Sequence, residues 1–278
     1  KEGALSMTMS RLKKIGLYFL LITTSFFVFF PVLYAFLISF MTGSEVMQGN
    51  FLPSALRLDN YIKVFDRLPL MKYLLNSFIV SGGVMVGQLI VCSLAAYAFV
   101  FLPFRGSNFV FYLFISTMMI PWEATMIPNF FIIQKLDWLN TYQGLTFPFF
   151  ALAFGTFLLR QHFKTIPNEL HEASRIAGLS RFAFFWRVIL PVSKTSLVTL
   201  GAYGFLTTWN MYLWPLLITT NSSVRTVQIG LKQLQSQETA TDWGVVMAGV
   251  IVVIIPTLLL LFIGQKQLQK GLSQGALK

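Results

Sequence analysis

Few residues of this chain are of a type that does chemistry, and their spacing is not that of a reaction centre. The chain has two histidines, His162 and His171, and one cysteine, Cys92. Two histidines do not make a metal centre by themselves, and one cysteine cannot form a disulfide framework. Cys92 lies in an apolar run and is predicted to be a small buried residue. The sequence therefore predicts no metal site, no catalytic residue and no enzymatic activity of its own.

Trp209, Asn210 and Tyr212 combine flat apolar rings with indole, amide and phenol groups. Sugars have apolar C–H faces ringed by hydroxyl groups, so stacking and hydrogen bonding from such residues suit a sugar-like solute. The alternative is an aromatic belt at the membrane surface, which is the preferred interpretation for the neighbouring Trp214. Asn210 favours a pathway role because its amide needs a polar partner within the membrane. We therefore name Trp209, Asn210 and Tyr212 as candidates for the solute path.

Glu123 is the only acidic residue inside a long hydrophobic stretch, where it lies between Pro121 and Pro128. A carboxylate within the bilayer is costly, so a functional role is the default expectation. The two prolines leave an alternative open, since a broken helix could bring Glu123 to a hydrated vestibule. Glu123 is accordingly a further candidate for the solute path, with an interfacial position as the competing interpretation.

The composition shows which elements must position these side chains. Hydrophobic residues make up 55% of the 278-residue chain and charged residues 11%. Soluble domains carry about 25% charged residues, so this chain lacks the polar residues to cover a soluble exterior. A soluble enzyme, a disordered chain and a disulfide scaffold are excluded. The chain is an integral membrane protein.

Six stretches are long and apolar enough to cross about 30 Å of hydrocarbon as helices. They are 15–40, 72–102, 108–134, 144–163, 192–220 and 244–264. The fold class predicted is an all-α membrane protein. It has a terminal segment 1–14, a six-helix transmembrane domain 15–264 and a tail 265–278. The first stretch is expected to be a membrane span rather than a cleaved signal peptide, because its apolar run is too long.

The basic residues indicate the orientation. The two termini, the turn at 103–107 and the loop near 160–194 together hold 14 of the 21 Lys and Arg residues. The positive-inside rule therefore places both termini in the cytoplasm. The same distribution explains the net charge of +11 as a topology signal, so no nucleic-acid partner is predicted.

The loop 162–191 is too amphipathic to span the membrane and too long to be a simple turn. Thr165 and Pro167 predict the start of a helix, and Glu169 and Glu172 favour its first turns. Gly178 fits the residue just beyond the helix end. The result is a short helix at the cytoplasmic surface, for which an interfacial anchor and a docking element both remain open.

This loop resembles a known family. The order Glu172-Ala173-Ser174, Gly178 and Ile189-Leu190-Pro191 is similar to the EAA loop of ABC importer permeases. Two positions depart from the family pattern, because Ser174 replaces the second Ala and Ala177 stands where an Asp precedes the Gly. The missing Asp removes one cap or ion pair of the family.

The resemblance extends over nearly the whole chain and is strongest to the carbohydrate-importing group, which contains maltose and glycerol-3-phosphate permeases. The segments that carry it, besides the EAA loop, are Asn76-Ser77, Ala96-Tyr97-Ala98, LNTYQGL at 139–145, FLLRQHF at 157–163 and the terminal KGLSQGALK. The segments SKTSL at 193–197 and WNMYLWPLL at 209–217 look most like the glycerol-3-phosphate permease.

The resemblance implies a type I ABC importer permease in a bacterial or archaeal inner membrane. Its loop is then a coupling helix that docks on an ATP-hydrolysing subunit. The residues carried over to that role are Glu172, Ala173, Ser174, Gly178, Leu190 and Pro191. The implied partners are a second, similar permease, two ATP-binding subunits and an extracytoplasmic solute-binding protein. The chain itself is expected to need no cofactor, since ATP and Mg²⁺ are bound by the partner subunits.

Two other function classes compete with this interpretation. A secondary transporter driven by an ion gradient would be favoured by paired intramembrane acids and an inverted repeat, and the sequence offers one such acid and no clear repeat. A membrane-embedded enzyme would need clustered His, Asp or Glu. The spans also hold no Lys or Arg near their centres, which suits a neutral sugar better than an anionic solute. The solute is therefore left as a sugar or sugar-like compound, with glycerol-3-phosphate among the candidates.

Overall fold

The computed structural model describes the backbone of residues 2–102, 104–235 and 242–276, and the side chains of 13–102, 104–235, 242–262 and 264–265. Within these ranges the chain is helical and contains no β-strand. The α-helices are α1 (Glu2–Ile38), α2 (Gly43–Met47), α3 (Asp59–Arg67), α4 (Leu70–Phe101), α5 (Ser107–Ser116), α6 (Trp122–Lys135), α7 (Tyr142–Thr146), α8 (Ala153–Phe163), α9 (Asn168–Ile176), α10 (Arg181–Phe184), α11 (Leu190–Val192), α12 (Lys194–Trp209), α13 (Leu213–Ile218), α14 (Val227–Gln235) and α15 (Trp243–Ala276).

Three helical segments are long and apolar enough to cross a membrane without a break: Lys13–Ile38, Leu70–Phe101 and Trp243–Phe262. Three further spans arise when two helices separated by a short break are counted together. These pairs are Ser107–Met119 with Trp122–Lys135, Tyr142–Phe149 with Ala153–Phe163, and Arg181–Val192 with Lys194–Trp209. The prediction of an all-helical membrane protein is confirmed, with up to six spans.

The bends differ from the straight spans that the apolar runs predict. The first pair bends by 98°, the second by 47° and the third by 80°. At the first bend Pro121 lacks an N–H donor and forces the residue before it out of the helical region, so the run 108–134 divides at Ile120. The run 192–220 also divides, because α12 ends at Trp209 and α13 begins only at Leu213.

The chain folds as two compact units. The first comprises residues up to Leu68 together with Leu231–Ile254, and the second comprises Pro69–Gly230 with the residues from Ile255 onward. In the first unit, buried Asn60 donates from its amide to the carbonyl oxygens of Ser39 (2.9 Å) and Met41 (2.8 Å). Arg67 pairs with Asp242 at 3.6 Å. The Asn60 bonds hold the end of α1 beside α3, and the ion pair joins the end of α3 to the start of α15.

The core of the second unit forms where α4 packs against α8 and α12. Small residues permit the close approach, and a Cβ atom at Gly87 would overlap the ring of Phe150. Gly83 and Gly87 have the GxxxG spacing that lets membrane helices pack closely. Cys92 is fully buried in this core, as expected. The apolar cluster around it includes Leu159, Phe163, Phe184 and Ile189, and the Phe184 ring also contacts His171 of α9.

Candidate functional site

Helix α9 begins two residues later than the sequence predicts, because Thr165 was the expected N-cap residue. Pro167 occupies the N-cap position, and no side chain caps the helix start. The Thr165 hydroxyl donates instead to the carbonyl oxygen of His162 (2.7 Å), so it does not cap α9. The first N–H groups of α9 are therefore left without the side-chain acceptor that capping provides.

The end of α9 follows the prediction closely. Gly178 adopts a left-handed conformation with φ of +71°. The Leu179 N–H donates to the Ser174 carbonyl (2.9 Å), and the Gly178 N–H donates to the Arg175 carbonyl (3.0 Å). These two bonds are those of a Schellman motif, in which glycine avoids the strain that a Cβ atom would bring at positive φ. The motif ends the helix sharply and fixes its length.

One face of α9 is fastened to the core. The Ser174 side chain is buried, and its hydroxyl donates to the His171 carbonyl oxygen (2.7 Å). The His171 ring lies 5.9 Å from the ring of Phe101 and 5.0 Å from that of Phe184, measured between centroids. Of the residues predicted for coupling, Ser174 thus lies on the buried side of α9 and is not accessible.

The opposite face of α9 is open. Glu172 and Ala173 are exposed, and so are Ala177 and Gly178 at the helix end. Ile176 is 89% exposed, which is unusual for a large aliphatic side chain. We call this set of residues (Glu172, Ala173, Ile176, Ala177 and Gly178) the docking face. Glu169 and Arg175 are exposed beside it, so this largely apolar set is flanked by charges, and exposed apolar patches mark interaction sites.

Leu190 and Pro191 are not part of the docking face. They form α11, which follows a five-residue π-helix at Phe185–Ile189. Leu190 is half-buried and Pro191 is exposed, and both line an apolar cavity of about 710 Å³ together with Lys194, Phe205 and Leu259. Their position next to the 80° bend indicates that they shape the return of the chain into α12.

Glu123 lies in the first turn of α6, immediately after the break at Pro121, and its side chain is exposed. Among the described residues it forms no hydrogen bond or ion pair. A carboxylate near a helix N-terminus is favoured by the helix dipole. The bend therefore takes Glu123 out of a continuous span, which is the geometry of the alternative that the two prolines leave open.

The aromatic cluster divides into a buried and an accessible part. Trp209 is only 1% exposed, and its ring packs against Phe78 (4.9 Å) and Phe205 (5.7 Å). Its indole N–H has no hydrogen-bond partner in the part of the chain that the structure describes. Asn210 is exposed, with its amide donating to the Leu206 carbonyl (2.8 Å), and Tyr212 is half-buried. Of Trp209, Asn210, Tyr212 and Trp214, Asn210 and Tyr212 are the two with accessible side chains.

Trp214 differs from the interpretation favoured by the sequence. It is fully buried, so it is not an aromatic belt residue. Its indole nitrogen donates to the Gly144 carbonyl oxygen (3.0 Å), and its ring lies 5.6 Å from that of Trp122. Trp214 therefore joins α13 to α7 and α6. The reason is that the chain breaks at Asn210–Tyr212 and α13 then turns towards α6 and α7. The continuous apolar run does not indicate this break.

Asn76 and Ser77 have a structural role that the sequence alone does not reveal. The Asn76 amide donates to the carbonyl oxygens of Ser223 (3.1 Å) and Arg225 (2.9 Å) and accepts from the Tyr142 hydroxyl (2.7 Å). The Ser77 hydroxyl accepts from the Val227 N–H (2.8 Å). These bonds hold the loop 219–226 against α4. A polar pair at the start of an apolar helix was the available signal.

The described residues contain no group of three or more His, Cys, Asp or Glu side chains that could hold a metal ion. The candidate site instead has two parts. One is the docking face of α9, and the other is the set of accessible polar residues next to helix breaks, namely Glu123, Asn210 and Tyr212.

Residues 88–274 match the family described as the binding-protein-dependent transport system inner membrane component. The match spans more than half of the chain. The chain belongs to this family and is a permease subunit of an importer, embedded in the membrane with several spans.

Curated relatives sharpen the comparison. The chain is 37% identical over 254 residues to the sn-glycerol-3-phosphate transport system permease protein UgpE of Yersinia pestis, covering 88% of this chain and 90% of that protein. It is 36% identical over 253 residues to the protein of the same name from Brucella abortus, covering 87% and 90%.

Solved structures agree with the fold. A bacterial ABC transporter involved in the import of the acidic polysaccharide alginate superposes with a TM-score of 0.81 at 26% identity, covering 92% of this chain and 96% of that one. A second structure, of a bacterial alginate ABC transporter bound to its pentasaccharide-loaded periplasmic protein, superposes at 0.66 and 12% identity, which supports the fold alone. None of these comparisons supports an ion-gradient-driven transporter.

Proposed function

We propose that this chain forms half of the transmembrane pathway of an ABC importer for glycerol-3-phosphate or a related sugar-like solute. The names of the curated relatives support the solute class, since their importers carry sn-glycerol-3-phosphate. The alginate importer shows that the fold also serves an acidic polysaccharide. A phosphate-bearing or acidic solute therefore takes precedence over a neutral sugar, despite the scarcity of basic residues at the centres of the spans.

The docking face of α9 carries this proposal. It is exposed and largely apolar, while His171 on the other side of α9 packs against Phe101 of α4 and Phe184 of α10, so a bound partner would displace α9 together with these helices. The proposed partner is an ATP-binding subunit, which binds ATP and Mg²⁺ and performs the hydrolysis. This chain then needs no cofactor and catalyses no reaction itself. A full importer would add a second permease, a second ATP-binding subunit and an extracytoplasmic solute-binding protein.

The test reconstitutes the chain with its partner subunits and measures ATP hydrolysis with and without solute. We expect Ala173→Trp to abolish solute-stimulated hydrolysis, because Ala173 lies on the docking face and allows close approach. The control Ala55→Trp makes the same change at an exposed position of the first unit and should hydrolyse normally. Glycerol-3-phosphate should stimulate hydrolysis more than maltose does. An Ala173→Trp complex that behaves like the parent would leave α9 as a mere interfacial anchor.

The proposed orientation places both termini and α9 in the cytoplasm, on the strength of the Lys and Arg distribution. Single cysteines at positions 222 and 270, introduced into a Cys92→Ser background, test it. An impermeant thiol reagent applied to intact cells should label position 222 and spare position 270. The reverse pattern would invert the topology.

For the solute path we propose Asn210 and Tyr212 as direct contacts. Glu123 is proposed as a residue of the hydrated vestibule at the 98° bend. Trp209 is proposed to line the path only if the contacts of its ring with Phe78 and Phe205 open during transport, because its side chain is buried as the structure stands.

A further inference from the structure

A polar cavity of about 400 Å³ lies where the end of α8 meets the start of α9. Its polar side chains are Asn108, Arg160, Lys164, Asn168 and His171, and its walls include Phe99 and Phe163. No carboxylate is among the described residues that line it. The cavity thus collects positive charge and hydrogen-bond donors without a negative group of its own.

Arg160 is the reason to expect a ligand. Its side chain is only 6% exposed, yet it has no ion-pair partner: the described residues contain a single salt bridge, between Arg67 and Asp242. The guanidinium donates to the Asn108 amide oxygen (3.3 Å) and lies 3.8 Å from the centre of the Phe111 ring, and both are uncharged. Its Nε–H has no partner among the described residues. A buried charge left in this state is costly, so a counter-ion is expected.

Two neighbouring features increase the attraction for an anion. Lys164 follows Arg160 by one helical turn at the end of α8, and its side chain is exposed. Asn168 is the first residue of α9, whose uncapped start carries the positive end of the helix dipole. Two cations, an amide and a helix start therefore surround one small volume, an arrangement suited to a phosphate group.

The surroundings favour a lipid as the source of that phosphate. Asn108 belongs to α5, which is part of a membrane-spanning pair, and two aromatic residues that follow it are exposed: Phe109 by 72% and Tyr112 by 70%. A phospholipid fits both parts of this surface, with its headgroup in the cavity and its acyl chains along α5. A free phosphate ion would satisfy Arg160 but would leave Phe109 and Tyr112 uncovered.

We propose that this cavity binds the phosphate group of an anionic phospholipid, with Arg160 and Lys164 as its charged ligands. Basic pockets between helices near the cytoplasmic surface recognise such headgroups. Since Asn168 and His171 belong to α9, the bound lipid would also brace this helix from the side opposite its docking face. That last consequence rests on the proposed function of α9, whereas lipid binding itself does not.

The test measures lipid binding rather than transport. The full chain, purified with its partner subunits and delipidated, is titrated with phosphatidylglycerol or phosphatidylcholine, and native mass spectrometry counts the lipids retained. We expect selective retention of phosphatidylglycerol. Arg160→Gln should weaken it about tenfold or more, the usual effect of losing a charged hydrogen bond. Arg160→Lys should retain much of the binding, and Lys164→Gln should weaken it less than Arg160→Gln does.

The control variant is Arg187→Gln, which removes an exposed positive charge that does not line the cavity, and it should bind lipid like the parent. Because Lys164 is exposed, its variant tests the proposal even if Arg160→Gln fails to fold. Equal retention by all variants would overturn the proposal. So would saturation of the site by inorganic phosphate without any preference for phosphatidylglycerol. If the variants lose the ATP-binding subunit while lipid retention is unchanged, the counter-ion is a partner carboxylate and the lipid proposal is wrong.

Discussion

Helix α9 and the segment 209–214 differ in how far along the chain their defining contacts reach. The end of α9 is set by hydrogen bonds between Leu179 and Ser174 and between Gly178 and Arg175, all within a few residues. In the second segment the Trp214 indole donates to Gly144, 70 residues away in the chain, and the Trp209 ring packs against Phe78. A region whose end is set by local contacts has its length fixed by the nearby sequence, although the fold still selects which of its faces is free. A region built from distant contacts has its accessible face chosen by the fold.

The comparison also separates two uses of an aromatic side chain. Trp209 and Trp214 are both buried, but only Trp214 has a hydrogen-bond partner for its indole nitrogen among the described residues. Trp214 therefore anchors three helices, whereas Trp209 fills space beside two phenylalanines. The accessible chemistry of this region belongs to Asn210 and Tyr212, the smaller and more polar members of the cluster.

The largest effect is expected from Gly178→Val. A β-branched residue at φ of +71° is strained by about 1–3 kcal/mol, and it would distort the Schellman motif that ends α9. We expect solute-stimulated ATP hydrolysis to be lost while the protein still inserts in the membrane. Gly49→Val is the matched control, because Gly49 has φ of +76° and likewise has open space around it. Loss of coupling in both variants would show that strain alone is harmful and that α9 is not special.

A smaller effect is expected from changes at the accessible polar residues. Asn210→Ala and Tyr212→Phe each remove a hydrogen-bonding group, which should cost about 1–3 kcal/mol in solute recognition. That corresponds to roughly tenfold lower transport efficiency, measured as uptake by cells with equal amounts of assembled complex. Asn50→Ala, at an exposed position of the first unit, is the control. Unchanged uptake for the double variant would remove the segment from the proposed solute path.

The two tryptophans provide a third test, of stability rather than transport. Trp214→Phe leaves the Gly144 carbonyl without its donor, so we expect a loss of about 1–3 kcal/mol in the free energy of unfolding. Trp209→Phe should cost less than Trp214→Phe, since both leave a similar cavity but Trp209 loses no hydrogen-bond partner in the described residues. Thermal unfolding of both variants in the same detergent measures the difference. An equal loss for Trp209→Phe would mean that its indole N–H has a partner elsewhere, such as the solute or another subunit.

The smallest effect is expected from the capping box of α2, a purely local structure in the first unit. The Ser54 hydroxyl, followed by the Thr42 and Ser54 backbone N–H groups, donates to Glu45 and lowers the pKa of this carboxyl to about 2. A lowered pKa in the folded state means that the stabilisation is present above the unfolded pKa and is lost as pH falls towards 2.

Glu45→Gln should therefore slightly lower the thermal unfolding temperature at neutral pH, with the difference from the parent shrinking below about pH 4. Glu172→Gln serves as the control, because Glu172 is exposed and forms no side-chain hydrogen bond within the described residues. A difference that grows on acidification would contradict the assignment of the lowered pKa to Glu45.

Much of the molecule was predictable from the sequence because its causes are local. Apolar runs are long enough to span a bilayer regardless of their neighbours, and they predict the helical class and the general location of the spans. Gly178 predicts the end of α9 because only the residues around it form the turn. The start of α9 lies later in the chain than predicted, because the Thr165 hydroxyl donates to the His162 carbonyl oxygen and does not cap the helix.

The bends were harder to predict. Pro121 signals a break, yet its 98° angle depends on what α5 and α6 pack against. The break before α13 has no proline comparable to Pro121, and the single amide of Asn210 does not by itself predict that α12 ends at Trp209. An apolar run reports that a segment avoids water, but it does not distinguish lipid from protein as the surrounding medium.

The sequence by itself determined the membrane class, the family and the position of the loop that contains α9, since these follow from composition, from length and from motifs read within a few residues. Only the tertiary structure decided which side of α9 is free, which aromatic residue is buried and where Arg160 lies without a counter-ion. The physical reason is that burial is a property of pairs of distant segments. Whether a side chain meets solvent, lipid or protein depends on helices that the chain supplies tens of residues away.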